Sequence, residues 1–104
     1  MPFTLILTTS ATLKEAKIIA RKLVEAKAAA CVNISRPVNS IYRWNGKIEK
    51  AKEVMLFIKT TSRSVRRVKK IILAEHSYQV PEIICLPIWQ GHQPYMDWIK
   101  DAVC

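Results

Sequence analysis

Ser40-Ile41-Tyr42-Arg43-Trp44-Asn45-Gly46-Lys47-Ile48-Glu49 reads as a β-hairpin. Asn-Gly between aromatic and β-branched runs supplies the positive φ that a two-residue type I′ turn needs at both central positions. That turn sets a register in which Trp44 faces Lys47, Arg43 faces Ile48 and Tyr42 faces Glu49. Large aromatics and charges then lie side by side along a two-stranded arm, an arrangement suited to contact with a partner.

Outward from the turn, the return strand runs through Glu53 to Thr61, with Val54, Leu56 and Ile58 on one face and Met55 and Phe57 on the other, so both faces call for burial. On the N-terminal side, Ala29 to Ile34 begins a strand that Pro37 interrupts. A proline removes a ladder donor, which predicts a bulge or an edge. Phe3 to Thr9 is rich in strand formers. Thr12-x-x-Glu15 is a capping box opening a helix to about Lys27, with Leu13, Ala16, Ala20 and Leu23 at helical spacing. A second helix is expected over Ser62 to Glu75, a strand over Ile83 to Trp89 after Pro81, and a last helix from Pro94, whose apolar stripe is Tyr95, Trp98, Ile99 and Ala102.

The order is βαββαβ(α): an α+β, ferredoxin-like fold with an antiparallel sheet, two helices on one face and a long hairpin joining the second and third strands. Two helices leave the other apolar face of the sheet open. An open apolar face in water marks an association site, so the chain is expected to oligomerise, with the hairpin as an arm to a neighbour. Lys59 is the odd charge in this scheme. Alternation points it inward among apolar neighbours, where it requires a carboxylate or carbonyl, or an anion held between subunits.

At 104 residues the chain forms one domain, residues 1–104, and with half its residues apolar it has material for a core. No apolar run approaches the roughly 18 to 20 residues that a membrane helix needs, and Met1-Pro2-Phe3-Thr4 lacks the features of a signal peptide. A cytoplasmic address and no membrane partner are expected. Cys31, Cys85 and Cys104 are too widely spaced for a zinc cage, and two of them are expected as small core residues.

The net charge is +9, which favours anionic partners. Five basic residues fall within Arg63 to Lys70, on an arc opposite Val65, Val68 and Ile72. Such an arc is either a solvated helix face, the commoner case, or a phosphate or nucleic-acid footprint. Gly-rich phosphate loops, G-x-S-x-G and H-E-x-x-H are absent, so no enzyme signature is present. Imidazole and carboxylate come together in His76-Ser77-Tyr78-Gln79-Val80-Pro81-Glu82, a donor set suited to copper or zinc, although from spacing alone a hydrogen-bonded loop pair is the commoner case.

Five segments taken in order resemble the CutA divalent-cation tolerance family: Ala29 to Ile34, Ser40 to Glu49, Ile58 to Thr61, His76 to Ile84 and Leu86 to Ile99. The resemblance covers almost the whole chain. It implies a homotrimer that binds divalent metal, Cu(2+) above all, without catalysis, and an architecture similar to the trimeric PII signalling proteins, whose small anionic ligands bind between subunits. On this basis His76 and Glu82 are the candidate metal ligands, Lys59 the candidate anion site, and Tyr42, Arg43 and Trp44 the candidate trimer contacts. Nucleic acid is not an implied partner. Ser10 stands about where many family members carry a cysteine, and Gln79 replaces a carboxylate of the family's loop.

Overall fold

One long strand organises the molecule. In the computed structural model, which describes Met1–Cys104, β4 (Lys47–Thr61) runs 15 residues and pairs antiparallel with β1 (Phe3–Ser10), β2 (Cys31–Ile34) and β3 (Val38–Trp44). β5 (Ile84–Pro87) adds antiparallel to the free edge of β1, giving the order β2-β4-β1-β5 with β3 on the extension of β4. The helices are α1 (Leu13–Glu25), α2 (Val65–Glu75) and α3 (Gln93–Ala102). The α+β, ferredoxin-like fold expected above is the observed one.

The hairpin register is as expected: Trp44 pairs with Lys47, Arg43 with Ile48 and Tyr42 with Glu49. Asn45 and Gly46 take φ of 51° and 76°. β2 and β3 are one strand broken by a bulge. Ile34 pairs with Leu56 and Val38 with Glu53, so three residues oppose two. Across the gap Ser35 N–H donates to Met55 O at 2.9 Å, and Met55 N–H donates to Ser35 Oγ at 2.9 Å. The Ser35 hydroxyl thus fills a ladder position near Pro37, which has no donor to offer.

α1 and α2 cover one face of the sheet. Ile19 and Leu23 meet Val68 and Ile72 above Ile6, Leu56 and Ile58, all fully buried, each contributing roughly 1.5–3 kcal/mol. Thr60 closes this layer by donating to Ala28 O at 2.6 Å. Arg67 ties the end of α1 to α2, donating to the carbonyls of Ala26 and Cys104 at 2.6 Å each. The opposite face carries Leu5, Leu7, Met55 and Phe57, half-buried, beside exposed Ile84 and Leu86. Only its end is covered by α3, through Met96 and Ile99 against Phe3, Ala30 and Ile88.

Lys59 sits on this open face, half-buried between Leu5 and Cys31, and donates to the carbonyl oxygen Asn33 Oδ1, because β4 turns its odd-numbered side chains away from the helices. Two expectations change. In α3 the buried positions are Met96 and Ile99, while Tyr95 and Trp98 are exposed and stack on each other with ring centroids 5.5 Å apart. The cysteines are not core residues: Cys31 is half-buried, and Cys85 and Cys104 are exposed.

Candidate functional site

A cleft of about 720 Å³ opens between the hairpin and the 76–82 loop. Ser40, Tyr42 and Trp44 line it from β3 and Glu53 from β4, on the open side of the sheet; Tyr78 and Glu82 close it from the loop. β1 ends at the Ser10–Val54 pair, so Glu53 lies one residue beyond that edge and the loop can reach it.

The loop is fastened at two points. Glu15 is the first. Thr12 Oγ1 caps α1 by accepting from Glu15 N–H at 3.1 Å, but the Glu15 carboxylate does not complete the capping box. It accepts instead from Ser10 Oγ at 2.6 Å, from Ser77 N–H at 2.6 Å and from Ser77 Oγ at 3.2 Å. Burial works to raise this carboxyl, yet the Ser10 and Ser77 donors and nearby His76 outweigh it and hold Glu15 below its ordinary value.

His76 is the second point. Its Nε2 lies 2.6 Å from Thr9 O, and its Nδ1 accepts from Tyr78 N–H at 3.0 Å. A carbonyl only accepts, so Nε2 carries the proton and Nδ1 is bare. Both ring nitrogens are thereby engaged, and the ring packs against Tyr78 at 4.8 Å between centroids.

Tyr78 then donates its hydroxyl to Glu53 Oε2 at 2.8 Å. Burial first, then this bond and the Glu53 charge, push the phenol up to about 12. Glu53 is only 8% exposed, yet Oε1 makes no hydrogen bond and keeps its access to the cleft. A nearly buried carboxylate with a free oxygen suits a cation or a strong donor.

The predicted site residues separate. Tyr42 and Trp44 line the cleft at 44% and 50% exposure, and Arg43, adjacent on the strand, is exposed on the opposite side. Glu82 lines the cleft and makes no ion pair; His76 does not line it, and Lys59 lies elsewhere on the open face. No three His, Cys, Asp or Glu side chains converge as a closed metal cage. Sequence reasoning missed Glu53 and Glu15. An acid at the head of an otherwise apolar strand was the available signal for Glu53; the capping-box motif hid the longer reach of Glu15.

Residues 4–102 match the family model described as CutA1 divalent ion tolerance protein. The chain is 50% identical over 88 residues to a protein CutA homolog of Xenopus laevis, covering 85% of this chain and 58% of that one, little more than half its length. It is 44% identical over 86 residues to the divalent-cation tolerance protein CutA of Thermus thermophilus, covering 83% of this chain and 84% of that one. The solved divalent cation tolerance protein of Thermus thermophilus superposes with a TM-score of 0.96 at 39% identity, over 98% of this chain and 99% of that chain.

Proposed function

Because the chain belongs to the CutA1 divalent ion tolerance family, we propose that it is a homotrimeric, non-enzymatic binder of divalent cations, copper(II) foremost, with the ion held at the cleft between hairpin and loop. The observation that carries this reading is Glu53, whose unpaired Oε1 faces the cleft that Glu82 also lines. The donors fit a divalent ion bound weakly and still partly hydrated. The lining offers carboxylate, phenol, hydroxyl and amide oxygens and no thiolate, which suits a hard or borderline ion held at few points. His76 can join only by giving up the Tyr78 N–H bond at Nδ1. Bound there, the ion neutralises the Glu53 charge that Tyr78 alone now stabilises.

Trimerisation is supported by the open sheet face, where Leu5, Leu7 and Phe57 continue into exposed Ile84 and Leu86 with no helix above them. The cleft opens on that same side, so a neighbouring subunit supplies further donors, with Tyr42, Arg43 and Trp44 on the arm that reaches it. Lys59 faces the same boundary. A small anion in the cleft itself finds two carboxylates and no Lys or Arg, so the metal reading is the better one. A cytoplasmic site of action belongs to the same proposal.

Calorimetric titration of copper(II) into wild type, Glu53→Gln, Glu82→Gln and His76→Ala tests the site. Saturable heat in wild type that weakens in both glutamine variants supports it; negligible heat in wild type overturns it. Light scattering that returns the 11.9 kDa monomer mass overturns the trimer.

A further inference from the structure

The charge of this chain is segregated. α1 with Lys27, together with Arg63 to Glu75, holds ten Lys and Arg against three Glu, while the rest of the molecule holds seven against five. The helix layer therefore carries nearly all of the net +9. Its three acids are also engaged: Glu15 by Ser10 and Ser77, Glu25 with Arg21 at 3.4 Å, and Glu75 with Lys22 at 2.9 Å. What remains outward is cationic, and it lies on the face of the sheet opposite the open apolar one, so association through that apolar face leaves it exposed.

Four exposed aliphatics lie on these two helices, Leu13, Ile18, Val24 and Leu73. Ile18, 42% exposed, has Lys14, Arg21 and Lys22 one turn away, with Glu15 the single acid among those neighbours. Leu73, 58% exposed, follows Lys69 and Lys70 by one turn. Neither helix contains a single aromatic, amide or hydroxyl side chain. With no aromatic the face has no base-stacking platform, and with no amide it lacks the usual reader of adenine, which leaves its Lys and Arg to meet phosphates or guanine edges alone. Cations interleaved with protruding aliphatics match the other common polyanion, a bilayer surface with anionic headgroups above acyl chains.

We propose that the outer face of α1 and α2 is a docking surface for anionic lipid membranes, held by Lys and Arg at the headgroups and by Ile18 and Leu73 at the acyl boundary. The binding is peripheral; no helix is long and apolar enough to cross a bilayer.

Co-sedimentation with vesicles of phosphatidylcholine alone and with about 30% phosphatidylserine, at about 0.1 M salt, tests this. Expected are binding to the anionic vesicles only, a loss of about tenfold or more in Lys69→Glu/Lys70→Glu, and a loss of several-fold in Ile18→Gln/Leu73→Gln. All four positions are exposed, and circular dichroism verifies that the variants fold. Absence of binding to anionic vesicles overturns the proposal. So does wild-type affinity in Ile18→Gln/Leu73→Gln alongside equally tight retention on duplex DNA, which reduces the face to an unselective polycation.

Discussion

Glu15→Gln isolates the latch that positions the 76–82 loop. The carboxylate accepts two bonds at 2.6 Å and one at 3.2 Å, from Ser10 and Ser77. Bonds to a charged acceptor contribute about 1.5–3 kcal/mol each and neutral ones about 0.5–1.5 kcal/mol, so neutralising the group costs about 1 kcal/mol per short bond, or about 2 kcal/mol in all. The Ser77 contacts are solvent-exposed, which lowers the expected loss to about 1–2 kcal/mol. The pH dependence has a definite sign. Glu15 sits below its ordinary value of 4.5 when folded, so its contribution is present above that value and lost as pH falls through the lower folded one. Urea denaturation at equal protein concentration should show wild type more stable by that amount at about pH 7, with the gap closing below about pH 4. Equal stability at neutral pH, or a gap that persists in acid, refutes the latch.

Tyr78→Phe removes the donor to Glu53 and leaves a nearly buried carboxylate unpaired, at a cost of about 1–2 kcal/mol in urea melts. The raised phenol contributes stability that is complete below its unfolded value of 10.0 and is lost as pH rises through about 12, so wild type should lose its advantage over Tyr78→Phe across that alkaline window. Thr8→Val should stabilise the fold by about 1 kcal/mol, since Thr8 Oγ1 is buried without a partner and valine keeps its shape; an unchanged or lower urea midpoint contradicts this. Gly46→Ala meets no atom within 4 Å but must hold φ +76°, so it should cost about 1 kcal/mol through the backbone alone. A smaller copper(II) titration heat in Gly46→Ala than in wild type would show instead that the turn shapes the proposed site.

How far the sequence reads correctly depends on how local each feature is. The hairpin register follows from Asn45-Gly46, and the bulge from a proline inside a strand, because each is decided within a few residues. The stripe of α3 reads half correctly: Ile99 and Ala102 pack as expected, but Tyr95 and Trp98 are exposed and Met96 takes the inward place, because Tyr95/Trp98 and Met96/Ile99 are both spaced by three. Periodicity finds a helix and cannot choose between two apolar stripes. Glu53 shows in the sequence only as an acid heading an apolar strand, since its role depends on Tyr78, 25 positions away along the chain.

By itself, the sequence determined the element order, the two-sided apolar strands and the amount of charge, all properties of composition and short spacing. Tertiary structure alone decided where they went. It turned Lys59 to the open face through the parity of β4, tied His76 Nε2 to Thr9 O of β1, and set a free carboxylate oxygen of Glu53 in a cleft. Those outcomes belong to contacts between segments far apart in the chain, and only packing brings such segments together.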